Sequence, residues 1–248
     1  MSVSWHQIGI VHERARQYDE AEKAYQASLR IDVQTGHRSG EADTLNQFGN
    51  LYNETGRLEE AVRFFQQAAT VFRALDDLFD EGRTCGNLAR TLIRLGRHDD
   101  ARREILRAFE CLKPFGHAAE PWKPFAILAE LERSARNHAA ADSARQRAID
   151  AYLAYRRDGG ENLSASARIF GLVAQAIAGN QVPAAESQLA QIKGGADLPA
   201  YLNPLLPKLQ AILRGARDPS LAADPDLDYD DAAELKLLLD QLARGRKP

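Results

Sequence analysis

The sequence predicts an all-α fold, a solenoid of antiparallel helix pairs with a C-terminal helical cap. Two observations carry that prediction. The chain repeats itself: sliding it by 40 residues lays Gly49 on Gly9 and Ala89, Ala61 on Ala21, Ala101 and Ala141, and Ala68 on Ser28, Ala108 and Ala148. The same shift lays Phe48 on Ile8, Leu88 and Leu128, and Phe65 on Tyr25 and Ile105. Repeats at such spacing mark stacked supersecondary units, none of which buries its apolar face alone. Within each copy, apolar residues then recur at helical spacing in two separate stripes.

The first copy, about 2–36, holds Trp5, Ile8, Gly9, Ala21, Tyr25 and Ser28. The second, about 37–76, shows the pattern best. Leu45, Phe48, Leu51 and Tyr52 form one stripe, Ala61, Val62, Phe65, Ala68 and Ala69 the other, and Gly56 stops the helix between them. Gly49, Ala61 and Ala68 mark places where paired helices approach too closely for a larger side chain. The third copy, about 77–116, keeps Leu88, Ala89, Gly96, Ala101 and Ala108. The fourth, about 117–157, keeps Leu128, Ala129, Ala141 and Ala148, with Arg145 in the column of Tyr25 and Phe65. Between these two lies "KPFGHAAEPWKPF", stiffened by Pro114, Pro121 and Pro124 and turned at Gly116. Its Trp122 either binds a partner or packs under the turn where the seventh helix begins.

A degenerate fifth hairpin is expected over 158–195, with Gly179 as its turn and Pro183 at an early helical position. Residues 196–248 are expected to form the cap that an open solenoid end requires. Asn203 and Pro204 read as a helix start, and Leu205, Leu206, Leu209, Ile212 and Leu213 as its apolar face. A last helix, from about Asp230 to Ala243, carries Ala233, Leu235, Leu238, Leu239 and Leu242 behind acidic capping residues. No cap precedes the first repeat, so Trp5 and Ile8 are expected to be partly open. Either earlier repeats of a longer protein, of which this chain would be a C-terminal fragment, or a second copy would cover them.

Bulk properties narrow the function classes. The 248 residues are 44% hydrophobic, enough for a substantial core, and the net charge is only -3. A general nucleic-acid or anionic-membrane binder would carry a strong basic excess. No apolar run approaches the ~18 residues a bilayer span needs, and the N-terminus has no signal-peptide core. Cys85 and Cys111 cannot make a disulfide framework and read as buried small hydrophobes. Together these predict a soluble cytoplasmic protein.

The repeat residues resemble the tetratricopeptide pattern W-x-x-L-G-x-x-Y followed by A, F, A and P. Trp5, Ile8, Gly9, Ala21, Tyr25 and Ser28 match it in the first copy, and Leu45, Phe48, Gly49, Tyr52, Ala61, Phe65 and Ala68 in the second. The final Pro is missing, and the period of 40 exceeds the family's usual 34. This looks like the long-repeat variety found in kinesin light chains and bacterial signalling proteins, and it covers about Ser2 to Tyr155. The extra residues fall in segments such as "QTGHRSGEA", which implies longer helices and altered inter-repeat turns.

The resemblance implies a right-handed superhelix whose concave side is lined by the first helix of each repeat. Carried over by position, that groove presents Asn46, Asn50 and Asn53 from the second copy, Arg83, Asn87, Arg90 and Arg94 from the third, and Lys123 and Arg133 from the fourth. Asparagines can hold an extended peptide backbone, and arginines can pair with carboxylates, so an acidic protein or peptide segment is the expected partner. One family subtype clamps a C-terminal carboxylate with five residues. Asn50, Asn87 and Lys123 fit that clamp, but Asn46 stands in place of a Lys and Ile127 in place of a cation.

Nothing in the chain points to catalysis. There is no phosphate-binding loop, no nucleophile elbow and no metalloprotease motif, and the six histidines have no ligand spacing. "ADPDLDYDD" begins like a calcium loop but has Tyr229 at the glycine position and Leu235 at the bidentate one. The expectation is a non-enzymatic interaction scaffold with no cofactor and no metal, contacting neither nucleic acid nor membrane. It could also self-associate through its uncapped first repeat. The alternative is a regulatory arm of a larger bacterial signalling protein, linked to a nucleotide switch or a protease.

Overall fold

The structure, a computed structural model, describes residues 2–195 and 198–245, and these contain helices and no strands. The helices are α1 Ser2–Arg14, α2 Tyr18–Thr35, α3 Arg38–Glu54, α4 Leu58–Ala74, α5 Leu78–Arg94, α6 His98–Leu112, α7 Trp122–Ser134 and α8 His138–Arg157. They continue with α9 Ala167–Ala178, α10 Val182–Lys193, α11 Leu202–Leu213 and α12 Tyr229–Ala243. The expected boundary between hairpin and cap touches Ala196 and Asp197, and the end of the cap touches residues 246–248; these lie outside the described residues.

The period is written in the helix ends. Arg14, Glu54, Arg94 and Ser134 close α1, α3, α5 and α7, each 40 residues after the last, and Tyr18, Leu58, His98 and His138 open the helices that follow at the same interval. In the second copy two helices of 17 residues are joined by links of three. The segment expected to hold the extra length is mostly helical: Thr35 ends α2 and Arg38 opens α3. The added residues therefore lengthen helices rather than loops.

One turn serves both kinds of link. The amide of Arg57 reaches back to the Tyr52 carbonyl at 2.8 Å, and Arg97 does the same to Leu92 at 2.9 Å. Between repeats, His37 bonds Asp32 at 2.9 Å and Asp77 bonds Phe72 at 3.0 Å. This six-residue closure needs one left-handed residue. Gly56 and Gly96 supply it at φ 80° and 73°, while Arg16 and Arg136 adopt it in the same column at 57° and 60° despite their side chains.

The chain forms two compact units, 1–145 and 146–248, and the division falls inside α8. In the first unit successive helices from α1 to α7 pack on each other, and α1, α3, α5 and α7 form a row of first helices. A core of Tyr25, Phe48, Phe65, Leu88, Leu92, Ile105 and Leu131 runs through it, and every repeat contributes. Gly49 permits the α3–α4 contact: a Cβ there would stand 2.5 Å from the Phe65 ring. Trp122, the first residue of α7, is buried, so it packs where the seventh helix begins. The segment before it is a 3-10 turn over Lys113–Ala119, with Gly116 at φ 55°.

In the second unit α9, α10 and α11 pack together around Val173, Leu189, Leu205, Leu209 and Ile212. The turn expected at Gly179 joins α9 to α10, and its left-handed residue is Asn180 at φ 53°; asparagine tolerates this conformation through local hydrogen bonding. Two local expectations are corrected here. α11 starts at Leu202, before Asn203, and carries Pro207 within it. Asp228 stands at the α12 N-cap without a side-chain bond, and Asp230 instead accepts from the Asp231 amide at 3.0 Å.

Candidate binding face on the first helices

All nine residues proposed for the groove lie on α3, α5 and α7 of the first unit. The structure gives them two different jobs. Asn46 accepts a hydrogen bond from the Thr84 hydroxyl at 3.3 Å, and Asn53 accepts one from Thr91 at 3.3 Å. Both bonds tie α3 to α5. Arg94 adds a third tie, donating to the Asn53 side-chain oxygen at 2.6 Å and to its carbonyl at 2.7 Å. These residues therefore hold neighbouring repeats in register.

The others are turned to solvent to differing degrees. Asn50 is half-buried and donates to Gln47 at 2.9 Å. Asn87 is half-buried one helix further on. Arg83 is exposed, lies 5.8 Å from the centre of the Phe79 ring and pairs with Asp80 at 3.2 Å. Arg90 pairs with Glu130 of α7 at 3.6 Å, and Lys123 with Glu120 at 2.5 Å. Among the described residues, only Arg133 of these five cations lacks a hydrogen-bond or ion-pair partner.

This differs from the open basic cluster the spacing suggests. Residues 40 apart stack side by side on neighbouring helices, so Arg90 meets Glu130 across the α5–α7 contact. The face is charge-compensated. Toward the start of the first helices it even turns acidic, where Asp43 stands near Asp80 and Asp77.

Sequence reasoning missed Thr84 and Thr91. Their signal was present: they sit seven apart, as do Asn46 and Asn53, and each lies 38 residues from its partner. It also missed Glu81. This side chain is fully buried on α5 and is gripped by Arg73 of α4 at 2.7 Å and by Arg107 of α6 at 2.8 Å. Burial pushes its pKa up, but the two guanidiniums outweigh that and hold it below the usual carboxylate value. A similar polar contact joins the first two repeats. Buried Asp32 accepts from Ser28 and bonds His37, and Thr44 donates to Ser28 at 3.3 Å.

The cysteines are free and buried on α5 and α6. Burial raises both thiols, Cys111 to about 11, which leaves them protonated and unreactive near neutrality. In the second unit Glu234 accepts from Arg156 at 2.5 Å and from Tyr152 at 3.1 Å. Nearby on α12, buried Asp231 accepts from Ser166 at 3.1 Å, and among the described residues its other oxygen has no hydrogen-bond partner. Burial, then Asp230, raise the Asp231 carboxyl to about 7.

The helix pairs, the repeating close approach at Gly49 and the row of first helices define an all-α solenoid of antiparallel helix pairs, similar to tetratricopeptide repeats. Comparison with known families agrees: residues 1–74 match the tetratricopeptide repeat family. The fold is similar to the crystal structure of BtubC (BKLC) from P. vanneervenii, with a TM-score of 0.58 at 17% identity. That likeness covers 62% of this chain and 64% of BtubC, less than two thirds of its length. No curated protein matches the sequence. Among the described residues no helix is long and apolar enough to cross a membrane.

Proposed function

We propose that the chain is a non-catalytic scaffold that binds a peptide or protein segment along the first helices of its repeats, in the cytoplasm. We read four such repeats over 1–157, followed by a worn hairpin to 195 and capping helices beyond. The observation that carries the binding reading is the row itself. α3, α5 and α7 lie side by side, and their outward positions carry Asn50, Asn87, Arg83, Arg90, Lys123 and Arg133 in place of apolar residues. Asn46, Asn53 and Arg94 link α3 to α5, fixing the spacing of the row. Two protonated, buried thiols suit a reducing compartment.

The pairing of the cations shapes the partner. A carboxylate arriving at Arg90 competes with Glu130, so an acidic segment gains most near Arg133 and Arg90 and less near Asp43. Charge reversal tests this. A pull-down identifies the partner, and the variant Arg90→Glu/Arg94→Glu is then compared with wild type. Folding should change little at Arg90, whose exposed pair contributes only ~0–1 kcal/mol, while affinity for an acidic partner should fall at least ~tenfold and wild-type binding should weaken with salt. Because Arg94 also ties α5 to Asn53, the single variant Arg90→Glu serves as control. Equal affinity in all three proteins would remove the first-helix row from consideration as the site.

A further inference from the structure

A groove of about 580 Å3 is lined by α2, α3 and α4. Leu29, Val33, Leu45 and Val71 make it apolar, and Glu41 and Gln67 bring polar groups to it. Val33 lies 58% exposed there. The Glu41 side chain is only 17% exposed, and one of its oxygens meets Arg38 of its own helix at 2.6 Å. Among the described residues, its other oxygen has no hydrogen-bond or ion-pair partner.

The chain itself shows what fills the same place one period later. Forty residues on, the columns of Val33, Glu41 and Gln67 hold Arg73, Glu81 and Arg107. There two arginines, from α4 and α6, close over the carboxylate of α5. Arg73 meets Glu81 Oε1 at 2.7 Å, and Arg107 meets Oε2 at 2.8 Å. Glu81 is fully buried beneath them. The earlier copy keeps the carboxylate but has an aliphatic stub and a neutral amide in place of both covering arginines. Arg38 supplies one guanidinium, from a column that holds Leu78 one period later. The second guanidinium place is open, beside apolar surface that suits the methylene stem of an arginine.

We infer that the groove between α2 and α4 is a docking site for an arginine side chain of a protein partner, whose guanidinium pairs with the open oxygen of Glu41 and whose stem lies along Val33 and Leu29. The incoming group restores the two-guanidinium arrangement seen around Glu81. A planar fork that donates from several N–H groups at once suits the carboxylate and the Gln67 amide oxygen together. Arg63 of α4 also lines the groove, and among the described residues it has no hydrogen-bond or ion-pair partner, since the nearby Glu60 is held by Arg57. It repels a second cation and favours a carboxylate beside the arginine, so the segment is not a polybasic run. The groove shares no residue with the nine of the first-helix row, and the inference stands whether or not that row binds.

The probe is the peptide acetyl-Leu-Arg-Glu-amide, titrated onto the full chain while the Val33 and Val71 methyl signals are followed by NMR. The expected result is a saturable movement of both signals. Affinity should fall at least ~tenfold when citrulline, which keeps the shape without the charge, replaces the arginine, and likewise with Glu41→Gln. The variant Val33→Arg/Gln67→Arg rebuilds the later copy's closure at two exposed positions, and the Val71 signal should then no longer respond. Circular dichroism verifies that both variants are folded. No saturable movement at ~10 mM peptide overturns the inference, as does a movement indifferent to Glu41→Gln or to citrulline. Equal binding of the corresponding lysine peptide also overturns it, because the place would then take any cation.

Discussion

Gly49 shows how much one missing side chain can decide. A Cβ there would meet the face of Phe65, which is itself wedged in the core and cannot swing away. Gly49→Leu should therefore cost about 3 kcal/mol or more, read as a lowered melting temperature; an unchanged value would mean α3 and α4 are packed differently. This position was legible from sequence because small residues recur in its column. Asn180 was not legible as the turn residue, because Gly179 beside it is the stronger signal. Nor was the role of Asn46 and Asn53: a polar residue on a helix says nothing of the threonine that a neighbouring helix brings to it. The pairing of Arg90 with Glu130 is readable only once the period is used to place neighbours rather than to count copies.

Between elements, Glu81 is the telling contact. It joins α4, α5 and α6 through two arginines that keep part of their surface in water. Removing both arginines leaves a buried, unpaired carboxylate, and Arg73→Ala/Arg107→Ala should cost about 3–5 kcal/mol. Glu81→Leu should cost less, because the freed guanidiniums remain solvated. Urea titration of the three proteins distinguishes the cases, and equal losses would show that the charge is not what matters. Because the folded carboxyl titrates below its ordinary value, the contribution of Glu81 is present above the unfolded pKa and is lost as pH falls through the folded one. Helix existence and order at this scale were well marked by periodicity. The ends of α11 and α12 were less so, since proline and aspartate signal a start without saying which residue takes it.

At the scale of the whole molecule, Glu81 in the first unit and Asp231 in the second respond to acid in opposite directions. Asp231 titrates at about 7 in the folded protein against an ordinary 3.8. A raised folded pKa means the native state holds a proton that the unfolded chain has released, so this group's favourable contribution is complete below 3.8 and is lost as pH rises through about 7. The neighbouring Asp230 is raised too, and the ion pair of Arg156 with Glu234 sits on the same helix contact. Asp231→Asn, which keeps the shape without the charge, should flatten the fall in stability between about pH 4 and 7 measured by thermal unfolding. If the variant and wild type keep the same slope, Asp231 is not the group that sets it.

The use of one turn at both kinds of link has an evolutionary consequence. The junctions inside the helix pairs and the first two junctions between pairs are closed by the same backbone bond with one left-handed residue, so the first three repeats share a single type of splice point. An in-frame duplication or loss of one whole period joins identical ends and returns every stripe to its column. An insertion of one residue within a helix instead rotates all that follows by about 100° and carries the apolar stripe off its neighbour. Length variation among natural versions of this chain should therefore come in whole repeats, and the number of repeats is a quantity that selection can change without redesigning any of them.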